Sequence, residues 1–335
     1  MKVYELRQFG LEHLVVVERE TPRPAGHEVV VKLRAASLNY RDLLFAKGLY
    51  NPKARLPAVP LSDGAGEVVA VGEGVTRWKV GDRACPILTQ GWLEGPRSPE
   101  KARTSLGGGD LDGVLREYGA FHQNGLIRSP EHLSFEEAAT LPCAAVTAWN
   151  ALVHVGRLKA SDTILTLGTG GVSIFAIQFA KMHGARVIAT SSSDQKLTRV
   201  RQLGADETIN YNKTPDWDKE VLRLTGGVGV DQVVEVGGAG TLAKSVNAAR
   251  MDGLVSVIGV LASGRGLDPI RVLMKSLRLQ GIFVGSRQMF EDMNRAITAN
   301  RLRPVIDKTF AFGEAREALA YMEKGAHFGK IVLTF

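Results

Sequence analysis

Glycines near the middle of the chain could hold a phosphate group. Gly168, Gly170 and Gly171 occur in LGTGGVS, directly after the apolar run 164–167. Gly168 allows a tight turn out of a strand, and Gly170 has no side chain where a pyrophosphate would approach the backbone. Free N–H groups at the start of a following helix would bind the phosphate oxygens. This context predicts a dinucleotide site; the alternative is a plain glycine-rich turn.

A strand, a helix and a second strand must position this turn. The run 164–167 is typical of a buried strand, and apolar residues then recur at helical spacing up to Met182. Gly184 ends the helix, and 187–190 is a second apolar run, which completes a βαβ unit. The third position of the glycine pattern is Ser173, which is still small enough for close packing of the helix on the strand.

Hydroxyl groups follow the second strand, where an NAD site would have an acidic residue. Serines can bond to a 2′-phosphate without repelling it, and they occupy Ser191, Ser192 and Ser193. Lys196, Arg199 and Arg201 follow on the next helix, either as phosphate ligands or as a solvated face. Asp194 could serve the ribose, but we expect it to cap that helix. The sequence favours NADP over NAD.

Composition limits the class of protein. The 335 residues suggest two domains, and the net charge of +7 is too small and dispersed to indicate nucleic-acid binding. The two cysteines, Cys85 and Cys143, cannot build a disulfide framework, which indicates a reducing compartment. The beginning of the chain has no signal-peptide core, and no apolar run could span a bilayer. We expect a cytoplasmic protein without membrane or nucleic-acid partners.

Short strands separated by turns dominate residues 1–125. Apolar or alternating runs at 14–17, 29–33, 67–71 and 83–87 predict a small barrel or sandwich. Residues 88–113 lack periodicity, which favours a functional or mobile loop, or a disordered surface insertion.

Helices and strands alternate after residue 126. Ser134 and Glu137 form a capping box, and Pro142 should end that helix near Leu141. A second helix is expected at 144–155. Further strands at 231–236, 254–258 and 277–284 indicate a doubly wound parallel sheet. The remaining elements, predicted at 289–300, 307–311, 314–324 and 330–335, are too few to fold alone and should return to the N-terminal domain.

The order of these motifs resembles the medium-chain dehydrogenase/reductase family, in its zinc-independent quinone oxidoreductase-like branch. The matching stretches are ASLNYRDLLFAKG (36–48), PLSDGAGEVVAVGEGV (60–75), LPCAAVTAW (141–149), LGTGGVS (167–173), LGADETINY (203–211) and HFGKIVL (327–333). The resemblance implies a GroES-like β-barrel domain (1–125 and 286–335), completed by the C-terminal tail, and a Rossmann-type cofactor domain (126–285). It also implies an active site in a cleft between them and a homodimer that pairs sheet edges through 277–284.

Many members of this family hold a catalytic zinc through two cysteines and a histidine. The matching positions here are Asn39, Ser62 and Cys143, and the first two are poor zinc ligands. In this family a separate lobe with four cysteines binds a structural zinc, and residues 85–113 of this chain contain no such lobe. We therefore expect no metal, and Cys143 as a buried small residue.

Zinc-free relatives mostly transfer hydride from NADPH to quinones or activated C=C bonds. In such substrates the conjugated carbonyl accepts charge, so a hydrogen-bond donor and water suffice. The resemblance nominates Asn39, Tyr40, Asp42, Ser62 and Asp63 as catalytic residues. Tyr40 is the better proton donor. Asp42 and Asp63 could instead hold turns.

The resemblance also nominates cofactor ligands. Thr147, Gly259, Phe283, Val284 and Gly285 should adjoin the nicotinamide, Tyr211 the 2′-phosphate and Gly237 the adenine, while Lys330 should lie near the cofactor. The glycine turn and the serines complete the set, which is Thr147, Gly168, Thr169, Gly170, Gly171, Val172, Ser191, Ser192, Ser193, Lys196, Tyr211, Gly237, Gly259, Phe283, Val284, Gly285 and Lys330. Two alternatives remain: an NAD(P)-dependent alcohol dehydrogenase, and a dinucleotide-binding protein with little catalysis.

Overall fold

The computed structural model describes residues 1–259 and 267–335 of the chain. It divides into two compact units, Met1–Val146 with Val284–Phe335, and Thr147–Phe283. Residues 126–146, which the sequence analysis assigned to the cofactor domain, lie in the first unit, as do residues 284 and 285. Residues 126–128 pair as a strand with the sheet of that unit, which is the physical reason for their placement.

Strands occur in all parts of the described chain. In chain order the strands are β1 (Lys2–Leu6), β2 (Leu14–Glu18), β3 (Glu28–Ser37), β4 (Asp63–Val71), β5 (Arg83–Pro86), β6 (Tyr118–His122), β7 (Leu126–Arg128), β8 (Thr163–Leu167), β9 (Arg186–Ser191), β10 (Glu207–Asn210), β11 (Val230–Glu235), β12 (Ala249–Val257), β13 (Arg278–Gly281), β14 (Ile306–Ala311) and β15 (Lys330–Thr334).

Helices lie between many of these strands. They are α1 (Tyr40–Ala46), α2 (Pro99–Ala102), α3 (Phe135–Ala139), α4 (Val146–Trp149), α5 (Gly171–Met182), α6 (Asp194–Gln202), α7 (Trp217–Leu224), α8 (Leu242–Ala248), α9 (Pro269–Met274), α10 (Arg287–Ala299) and α11 (Ala315–Glu323). Wider helical turns at Leu141–Ala145 and Asn150–Val155 flank α4.

The first unit is built on a seven-stranded sheet with the order β14-β15-β3-β4-β5-β7, in which β6 also pairs with β3. Strand β15 runs antiparallel to β3, with Val332 opposite Ser37. The hydrophobic core of the first unit includes Val31 and Phe45 from the N-terminal part and Leu333 from the C-terminal tail. The prediction that the tail completes the N-terminal domain is therefore confirmed.

The second unit contains a six-stranded sheet with the order β10-β9-β8-β11-β12-β13. Every neighbouring pair is parallel. Buried apolar residues such as Leu165, Ile188 and Val233 come from adjacent strands and form its core. This is the predicted Rossmann-type doubly wound sheet. The strand order reverses between β8 and β11, which is where such sheets bind dinucleotides.

Helix α3 ends at Ala139, close to the expected position near Leu141, but the next helical segment begins at Leu141 and not at the expected residue 144. Pro142 occupies the first turn of that segment, where a missing N–H costs nothing. Strand β10 was missed because it is short and mostly half-exposed, and it lies at the sheet edge. The irregular loop 88–113 contains α2, capped by Ser98, and a bridge between Thr89 and Ser105.

Candidate active site and cofactor site

The glycine turn after β8 has the geometry that a pyrophosphate requires. Gly168 has a φ of +68°, a conformation that favours glycine. Gly170 is the N-cap of α5, and a methyl group added there would meet no other described atom within 4 Å. The amides of Gly171 and Val172 begin the helix and have no intrahelical acceptor. Open space beside exposed amides fits a dinucleotide phosphate.

Ser173 lies in the first turn of α5 and contacts the end of β8. Its hydroxyl donates a hydrogen bond of 2.7 Å to the carbonyl oxygen of Leu167, and the residue is buried. The serine in the third position of the pattern thus ties α5 to the end of β8. Thr169, within the turn, is also buried.

The predicted phosphate-binding serines follow the end of β9. Ser193 caps α6, since its hydroxyl accepts the amide of Lys196 at 3.3 Å. The hydroxyl of Ser191 accepts the amide of Ser193 at 3.3 Å, and Ser192 is exposed. Tyr211 adjoins them, because its amide donates to the carbonyl of Ser191 at 3.1 Å. Lys196, in the first turn of α6, belongs to the same region.

Asp194 does not cap α6 as expected, because Ser193 does. Its carboxylate instead accepts the Asn210 amide nitrogen at 2.8 Å and Lys213 Nζ at 2.6 Å. These hydrogen bonds lower the pKa of Asp194.

A buried carboxylate that the sequence analysis missed organises the loop after β11. Glu235 is fully buried and accepts the amides of Gly237 at 2.7 Å and Gly238 at 2.9 Å. The hydroxyls of Thr241 and Ser245 also donate to it. The signal was an acid at the end of an apolar strand, separated from GGAG by Val236 alone. Since β11 neighbours β8, Glu235 fixes a loop at the point where the strand order reverses.

Gly259 follows the next strand and packs against this loop. A methyl group added there would lie 1.6 Å from the carbonyl oxygen of Val236. Only glycine therefore allows the two backbones to approach so closely. Gly237 and Gly259 thus both belong to the same end of the sheet.

In the first unit, the structure brings together the predicted catalytic residues around a buried lysine. Lys330 Nζ donates to Asn39 Oδ1 at 2.7 Å and to the carbonyl of Leu38 at 2.5 Å. The position of Lys330 near the cofactor remains a prediction, and the hydrogen bonds of its ammonium group join it to the segment at the start of α1. Burial lowers the pKa of Lys330, and Asp63 opposes that effect.

Asp63 connects β4 to the helical turn at Leu141–Ala145. Its carboxylate accepts the Ser62 hydroxyl at 2.7 Å and the Cys143 amide at 3.0 Å. Burial raises the pKa of Asp63, and Lys330 opposes that increase. Cys143 is partly exposed rather than buried as expected.

Asp42 takes part in the capping box at the start of α1, which is one of the two roles expected for it. It is buried and accepts the Asn39 amide at 2.8 Å, which holds the start of α1. Burial raises the pKa of Asp42 to about 6, against the influence of Arg41. Arg41, which the sequence analysis passed over, also donates to the carbonyl of Leu106 at 3.2 Å. Arg41 thus connects the irregular loop to Asp42, one of the candidate catalytic residues.

The remaining candidates have different surroundings. Tyr40 is 40% exposed. Thr147 is buried in the second unit. Val284 has a φ of +42°, and a methyl group on Gly285 would lie 2.5 Å from Val146 Cγ1. The roles of these residues and of Phe283 at the nicotinamide remain predictions.

The positions that hold zinc in many relatives do not fit the metal here. The oxygen of Asn39 is bonded to the Lys330 ammonium, and the Ser62 hydroxyl donates to Asp63. An amide and a hydroxyl are poor zinc ligands, and a neighbouring cation opposes a second one. Within residues 1–259 and 267–335, no group of three or more His, Cys, Asp or Glu side chains could hold a metal ion.

Comparison with known proteins gives the family. The alcohol dehydrogenase GroES-like domain family matches residues 25–131, and the zinc-binding dehydrogenase family matches residues 171–299. A zinc-type alcohol dehydrogenase-like protein of Schizosaccharomyces pombe is 45% identical over 97% of this chain and 96% of its own length. The chain belongs to the medium-chain dehydrogenase/reductase family, and it is an oxidoreductase of that family.

Solved structures agree with this assignment. A putative alcohol dehydrogenase from Sinorhizobium meliloti has 40% identity and a TM-score of 0.91, over 100% of this chain and 98% of that one. A 2-octenoyl-CoA carboxylase reductase, solved with NADP and 2-octenoyl-CoA, has 26% identity and a TM-score of 0.88, over 99% and 87%. As for membranes, none of the helices among the described residues is long and apolar enough to cross one.

Proposed function

We propose that this protein is a zinc-independent oxidoreductase that transfers a hydride from NADPH to a quinone or an α,β-unsaturated carbonyl compound. The observation that supports this most is the chemistry around Lys330. Asn39 and Ser62 stand where many relatives have zinc ligands, and both are engaged in hydrogen bonds with buried charged residues. Without a Lewis acid, a conjugated carbonyl is a better hydride acceptor than a simple ketone, because it disperses the developing charge.

In this proposal, residues of the second unit bind the cofactor, and residues of the first unit orient the substrate and stabilise its charge. NADPH, when bound, supplies the hydride. The turn at Gly168, Gly170 and Gly171 holds its pyrophosphate, and the serines after β9 hold its 2′-phosphate. Lys330 fixes the orientation of the Asn39 carboxamide by binding its oxygen. Tyr40, which is 40% exposed, presents the hydroxyl that can donate to the substrate oxygen.

A substrate panel tests this function. We expect NADPH oxidation with quinones or enones, and little or no oxidation of simple alcohols with NADP. A relative solved with NADP and 2-octenoyl-CoA makes enoyl thioesters a sensible part of the panel. Absence of turnover with every quinone, enone and enoyl thioester would contradict the proposal.

Metal content gives an independent prediction. We expect no stoichiometric zinc after dialysis, since the donor set at Asn39, Ser62 and Cys143 is poor. Elemental analysis measures this directly. About one zinc per chain, bound tightly enough to survive dialysis, would show that the site has been misinterpreted.

The names of the most similar relatives favour a second candidate, an alcohol dehydrogenase. That activity would appear as reduction of NADP or NAD by alcohols. Its loss on treatment with a chelator would further indicate a metal. The same panel therefore separates the two candidates.

A further inference from the structure

The last residue of β10 and the loop that follows it occupy both oxygens of Asp194, the acidic residue next to the three serines. Asp194 Oδ1 accepts the Asn210 amide nitrogen at 2.8 Å, and its Oδ2 accepts Lys213 Nζ at 2.6 Å. Asp194 follows directly on Ser191, Ser192 and Ser193. The acidic residue and the predicted phosphate ligands therefore share one short turn.

Sheet geometry places Lys213 beside that turn. Strands β9 and β10 are parallel, and their last residues, Ser191 and Asn210, are directly paired. The loops that follow them run side by side, since the Tyr211 amide donates to the Ser191 carbonyl at 3.1 Å. The Asn212 side chain reaches the Ser192 carbonyl at 3.4 Å.

A carboxylate after the second strand ordinarily selects NAD, because its oxygens bind the ribose hydroxyls and its charge disfavours a 2′-phosphate. In this chain a carboxylate lies three residues beyond the end of β9, at the first position of α6, and Lys213 and Asn210 bind its oxygens. The lysine also cancels its charge. The turn therefore offers hydroxyls to a phosphate without an uncompensated negative charge next to them.

We propose that Lys213 determines cofactor choice by covering Asp194, so that the turn accepts the 2′-phosphate of NADPH. Lys213 is a positioning residue: it acts through the carboxylate. This inference rests on the NADPH preference in the proposed function, and it adds the residue that makes that preference compatible with Asp194.

The pair can be altered without disturbing the fold. The Lys213 and Asp194 side chains are 69% and 61% exposed, and exposed ion pairs contribute little to stability. The pair of Lys219 with Asp216 in the same unit is a matched control, with 72% and 61% exposure and an N–O distance of 2.8 Å.

The experiment measures the dissociation constants of NADPH and NADH by fluorescence titration for Lys213→Met, Asp194→Asn and the double variant. Lys213→Met should reduce the NADPH-over-NADH preference about three- to fivefold, because Asp194 becomes uncovered. In the Asp194→Asn background the same substitution should have little effect. Lys213→Arg should keep the wild-type preference, and so should Lys219→Met.

Other results would overturn the inference. If Lys213→Met has the same effect with and without Asp194, the lysine binds phosphate directly and does not act as a cover. If Lys219→Met has an equal effect, only general surface charge matters. If Lys213→Met weakens the binding of NADPH and NADH equally, Lys213 does not determine the choice between them. These outcomes are independent of turnover; wild-type preference for NADH, or lack of substrate turnover, would instead contradict the proposed function.

Discussion

Buried charges among the candidate catalytic residues are balanced by neighbouring cations. Asp42 and Asp63 are opposed by Arg41 and Lys330, and both acidic residues are almost fully buried. Burial raises the pKa of both carboxyl groups, while the cations lower it. A buried charge that loses its partner is strongly destabilising, so these residues depend on each other.

Asp42 gives a prediction about pH and stability. Its pKa rises from 3.8 to about 6 on folding, so the folded state binds this proton more tightly than the unfolded state does. Stability from this group is fully present below pH 3.8 and is lost as the pH rises through about 6. Thermal melts of wild type and Asp42→Asn should show wild type losing stability relative to the variant over that interval. A constant difference across it would contradict the assigned shift.

Lys196 gives a prediction about the cofactor. If the first turn of α6 meets the 2′-phosphate, its charge-assisted bond is worth about 1.5–3 kcal/mol. Lys196→Ala should then weaken NADPH about tenfold or more and leave NADH nearly unchanged. Tyr211→Phe should act in the same direction but less, since a neutral hydroxyl contributes less than a cation. Fluorescence titration of both cofactors measures this, and equal weakening of both by Lys196→Ala would exclude the serine turn as a phosphate site.

At the scale of elements, the turn between β8 and α5 gives a prediction about binding without instability. Gly170 has open space around an added methyl group and a φ of −77°, which other residues adopt readily. Gly170→Ala should therefore keep the melting temperature but weaken NADPH and NADH alike, by about tenfold or more, through a clash with the pyrophosphate.

Gly313 provides the matched control for this variant. An added methyl group at Gly313 also meets nothing within 4 Å, and the residue lies in the other unit. Gly313→Ala should change neither stability nor binding. Unchanged cofactor affinity in Gly170→Ala would mean that the pyrophosphate does not approach this residue.

Elements with strong local signals could be predicted from the sequence, and others could not. The apolar runs and glycines of β8, α5 and β9 define those elements within a residue or so. Strand β10 has a weak pattern because an edge strand is only partly buried. The effect of Pro142 depends on where the next helix begins, and local sequence does not determine this.

Contacts between residues far apart in the sequence could also not be predicted from local patterns, and this limited the prediction of the site. Motifs identified Asn39, Ser62, Asp63 and Lys330, but not the contact between Lys330 and Asn39. Lys330 is 291 residues from Asn39 and reaches it because β15 pairs with β3. Lys213 likewise meets Asp194 only because β10 lies beside β9.

At the scale of the whole molecule, one edge of the six-stranded sheet in the second unit has the features of an interface. Strand β13 ends the sheet, and it is shorter and more polar than the predicted 277–284. The apolar surface comes instead from α9, where Ile270, Leu273 and Met274 are 62%, 75% and 69% exposed. Their spacing of three and four residues puts them on one helix face. Among residues 1–259 and 267–335 no strand pairs with the outer edge of β13, and such an edge together with exposed apolar side chains favours association.

We therefore predict a homodimer that uses this edge. Leu273→Glu should convert it to a monomer, because the charge would be buried against the partner without a counter-ion. Leu49→Glu is the control, since Leu49 is 68% exposed, compared with 75% for Leu273, but lies in the other unit. Light scattering at micromolar concentration distinguishes the two masses. A monomeric wild type would contradict the dimer, whereas dissociation by Leu49→Glu but not by Leu273→Glu would move the interface to the first unit.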